Sequence, residues 1–586
     1  MTSEAVRYRV SMARPHTHLF EVEASFPPLD RLDAVLPVWT PGSYLVREYP
    51  RHVQDVSAVD AQGAPVPVER VDKRTWRVAT DGRAVTLRYR VYANELTVRT
   101  SHLDGSHGYF NGATLFLYAE PLRGVRHRLT VDAPAGWSVF TALEPDGEGF
   151  SAPDYDTLID SPVEVGPHTP IRFLAAGVPH QVVVWGGTLD AAKVEQDFRA
   201  VVEAEAALWG GLPVQRYSFL VYLLDKGRGG LEHAASTALV FTRSQISSPK
   251  GWEDFLTLVS HEYFHLWNVK RLKPRAFVPF DYASENYTRL LWAFEGITSY
   301  YDNLLVRRAD RMSATRYLTR VGEALSALAL TPGRRVQTLE EASLSAWVKY
   351  YRQDEHTPNS AVSYYLKGEL VALCLDLELR RATSDARSLD DVLRLLWSRY
   401  GDGRGVPEDA VEAAATEVAG TDLRGFFDRA LRSTMELDLS VLSHVGLAVH
   451  ARIRESAADK GGTAPRLKTG DTRTRGWTGI LPRGATIVSV LEGSPAQLAG
   501  LYAEDEVMAI DGVRGDAAAL VTRADDRAPG DTLRVTVFRR DLLVEVPVVL
   551  AARPEDALWL APVESPTEAQ RLAFQRWAGA PLDTAT

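Results

Sequence analysis

Cysteine is nearly missing from this chain: Cys374 is the single one in 586 residues. No internal disulfide can form, and such usage fits a reducing compartment. Cys374 sits in the helical, apolar pattern of residues 366–379, which predicts a buried, inert thiol and not a nucleophile. Long hydrophobic runs are missing too. With no stretch of 18 apolar residues, no membrane span is expected. The opening MTSEAVRYRVSMARPHTH has no basic segment followed by an apolar core, so a signal peptide is not expected and a cytoplasmic location is. Positive charge is not in excess: Lys and Arg number 66 against 76 Asp and Glu, a net charge of −10. That balance argues against nucleic acid as a partner, because phosphate binding needs a basic face. At 45% hydrophobic and 24% charged, the composition is that of a globular protein, and the length predicts three or four domains.

What is present centres on Val259-Ser260-His261-Glu262-Tyr263-Phe264-His265-Leu266-Trp267-Asn268. Phe255, Leu258, Val259 and Leu266 recur at helical spacing, and Pro274 forbids helix just beyond. Residues four apart lie one turn above each other, so His261 and His265 can both reach one ion, with Zn–N distances of about 2.0–2.1 Å. Glu262 is rotated by roughly 100° from His261, which places it beside the ion as a base for a metal-bound water. This is a zinc-hydrolase signature. A third ligand is expected in Leu290–Tyr300, a mostly apolar run whose one carboxylate, Glu295, would be costly to bury unless paired or bound to metal. Three protein ligands with a fourth position left for water is the pattern of catalytic zinc.

HEYFHLWNVKRLKP followed by WAFEGITSYY resembles the PDZ-containing glycyl aminopeptidases, gluzincin metallopeptidases related to aminopeptidase N. The resemblance extends over nearly the whole chain. Residues 37–44 (PVWTPGSY) and 92–99 (YANELTVR) are similar to that family's amino-terminal region. The interval between His265 and Glu295 is longer than in aminopeptidase N relatives, which lack the intervening LKPRAFVPFDYASENYTR segment. That departure suits the glycyl family. The stretch Gly227-Arg228-Gly229-Gly230-Leu231-Glu232-His233 permits close backbone approach to a ligand, or a simple turn. It resembles the Gly-x-Met-Glu-Asn element, with Leu231 for Met and His233 for Asn. The resemblance implies that Gly229 and Gly230 align a peptide and that Glu232 binds its free amine. Ser363–Gly368 resembles the Tyr-x-Lys-Gly motif, which implies that the hydroxyl of Tyr365 stabilises the oxyanion, with Tyr364 as the competing assignment.

Taken in order, the chain is expected to be a multidomain α+β protein. Residues 1–168 alternate in short segments broken by Pro and Gly, an all-β domain. Its aromatic runs at 108–112 and 115–118 suit core strands or a cleft wall, core being expected. A thermolysin-like catalytic domain follows at 169–300. It includes a helix over 190–208 whose apolar face is interrupted by Glu205, so its last turn is expected to be partly exposed. Residues 301–447 are helical in pattern, a domain closing over the site. Residues near 455–475 look like a polar linker or loop. Residues 462–552 are similar to a bacterial-type PDZ domain, able to add a peptide as an extra strand or to serve as a structural appendage. Leu572, Phe574 and Trp577 suggest a docked helix in the tail, 553–586.

These readings predict a zinc aminopeptidase with one zinc per chain, acting on peptides, with Glu262 as general base. Preference for amino-terminal glycine or alanine is implied only by the resemblance. Two rivals stand: a zinc endopeptidase, and a PDZ peptide-binding scaffold with a structural zinc site. An intact Glu262 speaks against the scaffold, since a structural site needs no base.

Overall fold

A computed structural model describes residues 5–465 and 475–585. The chain divides into two compact units, Met1–Tyr287 with Leu396–Pro407, and Thr288–Leu395 with Glu408–Thr586.

The first unit begins with the expected β domain, built of sheets of eight, four and three strands. In the largest sheet, Val6–Ser11 runs parallel to His127–Asp132 and antiparallel to Leu19–Phe26. The period-two alternation of Val85–Tyr92 turns Val85, Leu87, Tyr89 and Val91 inward and leaves Arg88 outside, as a half-buried strand requires. Phe110, Leu115, Phe116 and Leu117 are fully buried in the core of this domain, so those runs are core and not cleft wall. Tyr109 points the other way, into a second core that Val98, Tyr109 and Phe140 share with Val183, Leu220, Leu231 and Ala238. The β domain and the next sheet are therefore packed as one body.

That next sheet has five strands in the order Ile171–Ala175, Val178–Trp185, Tyr217–Leu224, Ser236–Thr242, Gly229–Glu232. The three inner strands are parallel, and the outer two run antiparallel to their neighbours. The glycine-rich stretch thus forms an edge strand. Two helices accompany the sheet, Ala191–Trp209 and Pro249–Phe264. Asp190 caps the first through the amides of Ala192 and Lys193, and Ser248 caps the second through that of Gly251. Glu205 departs from expectation: it is fully buried, because Ser260 on the second helix donates to Oε1 at 2.9 Å.

In the second unit a π-helical turn, Trp292–Gly296, leads into the helix Ile297–Arg308. Helices Ala314–Ala329, Tyr364–Ala382, Ala410–Ala419 and Arg424–Leu431 realise the helical pattern read from the sequence. Cys374 is buried in Tyr364–Ala382, and burial pushes its thiol up to about 12, too high for a nucleophile. Strand Leu447–Arg452 pairs antiparallel with Ala557–Pro562. Between them lies a module with a six-stranded sheet and the helices Pro495–Ala499 and Ala517–Asp525, around a core that includes Ile487, Ile510, Leu520 and Val535. The segment 455–463 is an ordered loop: Asp459 pairs with Arg452 and accepts from the Gly461 amide at 2.8 Å. The rest of the expected linker, 466–474, lies outside the described residues. The tail does form a helix, Glu568–Ala578, in which Phe574 and Trp577 are buried while Leu572 stays exposed. Among the described residues, no helix is long and apolar enough to cross a membrane.

Candidate active site

Helix Pro249–Phe264 ends one residue before His265, which keeps helical backbone as its cap. His261 and His265 therefore remain one turn apart, their ring centroids 4.7 Å from each other and their planes near perpendicular at 86°. Nδ1 of His265 donates to the Asn268 carbonyl at 2.6 Å, which leaves the ligating lone pair on Nε2. Neutral imidazoles so arranged fit zinc.

Glu262 is buried and faces the edge strand Gly229–Glu232. A Cβ on Gly230 would overlap Cγ, Cδ and Oε1 of Glu262, whereas one on Gly229 would meet nothing within 4 Å. The carboxylate needs glycine at 230 and is indifferent to 229. Glu232 ends the strand, 4% exposed, and its Oε1 has no hydrogen-bond partner among the described residues. A buried, unpartnered carboxylate oxygen is costly unless a cation or donor arrives. Glu232, Glu262 and His265 each present a ligand atom within 4.8 Å of the other two, so two carboxylates and an imidazole share one small space.

The β domain forms part of this space. Gly42 has φ +86°, and a Cβ there would lie 2.5 and 2.6 Å from the two carboxylate oxygens of Glu232. Arg99 donates to the Gly230 carbonyl at 3.2 Å, and its own carbonyl accepts from Tyr49 at 2.7 Å. Both lie in the stretches of the resemblance, 37–44 and 92–99, which give neither a role of its own. The Pro41-Gly42 turn carries a signal, because a left-handed residue favours glycine; for Arg99 no local signal exists.

His233, which stands where the resembled element has Asn, braces the strand. Its Nδ1 donates to Asp160 at 3.0 Å, and Asp160 also accepts from the Ala234 amide at 2.9 Å and from Lys270 at 2.6 Å. Burial alone would raise the Asp160 carboxyl, but the Lys270 charge and the His233 bond hold it well below the usual range. Arg271 donates to the carbonyls of Ala234, Leu266 and Pro213. Lys270 and Arg271 of the extended motif thus tie the end of the histidine helix to the exit of the Glu232 strand.

In the second unit, Glu295 sits on the π turn and is 2% exposed. Such turns inside helices are frequent at functional sites. The neighbouring Gly296 packs on Gly368 so closely that a Cβ at 296 would lie 2.5 Å from the Gly368 Cα. This crossing brings the two glycine-ended motifs together and sets Tyr365 beside Glu295. Burial, and then the Glu295 charge, raise the Tyr365 phenol well above its ordinary value, so it stays a neutral donor at pH 7. The Tyr365 and Tyr351 hydroxyls lie 3.1 Å apart, while Tyr364, fully buried, donates to Tyr351 at 3.4 Å.

Residues 7–167 match the Peptidase M61 N-terminal domain, and residues 254–371 match the M61 glycyl aminopeptidase family. An aminopeptidase N family protein from Idiomarina loihiensis has a similar structure, with 32% identity and a TM-score of 0.91, covering 96% of this chain and 99% of its own. An M1 zinc metallopeptidase from Deinococcus radiodurans aligns at 14% identity and TM-score 0.48, over 74% of this chain and 95% of its own. No curated protein matches the chain.

Proposed function

Since this chain belongs to the M61 glycyl aminopeptidase family and is a zinc metallopeptidase, we propose that it removes single residues from the amino termini of peptides, with glycine or alanine preferred. The observation that carries this reading is Glu232: a buried carboxylate oxygen without a partner, in the same small space as Glu262 and His265. A substrate ammonium supplies the missing donors, and its charge compensates a carboxylate that is otherwise costly to bury. The proposed protein ligands are His261, His265 and Glu295, holding one catalytic zinc per chain. When bound, the ion polarises the scissile carbonyl and lowers the pKa of water toward about 7.

The chain's own groups perform the remaining steps. Glu262 takes the proton of the attacking water and returns it to the leaving amine. Gly230 leaves that carboxylate its room, and the strand Gly229–Glu232 aligns the substrate backbone at the sheet edge. Tyr365, kept neutral, donates to the oxyanion as negative charge develops. We read the five-stranded sheet with its two helices as thermolysin-like and residues 462–552 as a PDZ domain that seats a peptide carboxyl terminus. The single, buried thiol supports a reducing, cytoplasmic setting.

The decisive experiment compares glycyl and alanyl reporter amides with free and acetylated amines. Acetylation is expected to abolish cleavage. Efficient internal cleavage of blocked peptides would establish an endopeptidase instead. Glu232→Ala is expected to lower kcat/KM on free amines at least about tenfold and to shrink the discrimination against acetylated substrate.

A further inference from the structure

A second group of metal-type donors lies in the β domain, on the hairpin formed by Ser101–Leu103 and Gly108–Phe110. His102, Asp104 and His107 each present a ligand atom within 4.8 Å of the other two. Their hydrogen bonds leave an unusual remainder. Nε2 of His102 donates to Asp104 Oδ2 at 3.2 Å, and Nδ1 of His107 donates to Glu164 at 3.1 Å. In each ring the other nitrogen, His102 Nδ1 and His107 Nε2, is buried with no hydrogen-bond partner among the described residues. A neutral imidazole that donates through one nitrogen carries a lone pair on the other. Two buried lone pairs without a donor, in rings 5.1 Å apart beside a carboxylate, match the requirement of a cation.

The surroundings resemble a prepared site. Glu164, itself buried, is fixed by His168 at 2.6 Å and by the Tyr222 hydroxyl at 2.9 Å, so it holds the His107 ring in one tautomer and orientation. A carboxylate behind a histidine is the outer-shell arrangement that orients metal ligands. Oδ1 of Asp104 accepts from the Ser106 amide and hydroxyl and from the His107 amide, which anchors the carboxylate and turns Oδ2 toward His102. His102 and Asp104 remain partly exposed, which gives an ion a way in.

We propose that His102, Asp104 and His107 form a second zinc-type site, separate from the catalytic one, that fastens this hairpin to the five-stranded sheet. The hairpin already meets that sheet there: the His107 ring stacks on Trp185 at 4.2 Å, and Trp185 Nε1 donates to Ser106 Oγ at 3.1 Å. Two imidazoles and a carboxylate with room for solvent are a common zinc donor set.

The test is zinc stoichiometry on full-length protein stripped with a chelator and titrated with zinc ion. Wild type is expected to bind two equivalents. His261→Ala with His265→Ala is expected to keep one, and His102→Gln, which retains a donor toward Asp104, is expected to lose one while still cleaving substrate. His107→Gln provides a second variant, with circular dichroism reporting whether each protein is folded. One equivalent in wild type overturns the proposal, and so do two equivalents in folded His102→Gln and His107→Gln.

Discussion

Substituting Gly230 by Ala probes the base without touching it. The added Cβ would overlap Cγ, Cδ and Oε1 of Glu262. Those atoms are the far end of a flexible side chain, so the backbone can stay while the carboxylate retreats. Ordinary contact begins near 3.4 Å, and restoring it moves the carboxylate by about 1 Å or more. A 1 Å misplacement of a catalytic group costs about 10²-fold, and full loss of a positioned base costs about 10²–10⁴-fold. Gly230→Ala is therefore expected to lower kcat by about 10², with the melting temperature near wild type and zinc retained. Removing a glycine from a strand in itself contributes about 0.5–1 kcal/mol of stability, which works against any loss from the new contact. Gly229→Ala, whose Cβ meets nothing within 4 Å, is the control and should keep wild-type kcat. Steady-state kinetics with metal analysis decide the matter. A folded, zinc-replete Gly230→Ala enzyme with undiminished kcat would refute the argument, as would an equal loss in Gly229→Ala.

Tyr365→Phe is expected to lower kcat by about 10²–10³ with the fold intact, since one oxyanion donor is removed, while Tyr364→Phe should change it little. The pair is read out by kinetics on one reporter amide. Gly368→Ala would place a Cβ 2.9 Å from the Gly296 Cα and 3.0 Å from the Trp292 carbonyl. Backbone cannot swing aside, so a lower melting temperature is expected, on the scale of about 1–3 kcal/mol for overpacking. Burial holds His127 and His180 at about 4, below the unfolded value near 6.5, so the folded state binds fewer protons. Their contribution is present above about 6.5 and is lost as pH falls toward 4, at up to about 1.4 kcal/mol per pH unit for each ring. Denaturation midpoints measured from pH 7 to 4 should fall, and His180→Gln should flatten that descent.

The helical period makes His261, Glu262 and His265 legible, because a motif confined to one helix needs only local geometry. Glu295 is legible as a lone acid in an apolar run, but the π turn that carries it is not, since the bonding that widens a helix leaves no mark in residue type. Glu205 looked like a flaw in an apolar stripe. Its buried partner Ser260 sits on another helix, and sequence spacing is blind to that. The glycines at 296 and 368 stand in plain view at the ends of two motifs, yet their mutual contact requires knowing that those helices cross. His102, Asp104 and His107 stand close together in the sequence, but Glu164 and Tyr222, which brace the His107 ring, come from distant strands.

The turn at Pro41-Gly42 sits 190 positions before Glu232 (232 − 42), and its backbone leaves no space for so much as a methyl group against that carboxylate. It acts as a doorstop. If a substrate ammonium meets Glu232 as proposed, the turn bounds that carboxylate on one side. On the proposed reading, recognition of where a peptide begins draws on two domains at once. A fragment holding the histidine helix and the Glu232 strand, but not the β domain, would keep that carboxylate and lose the wall that Gly42 sets against it.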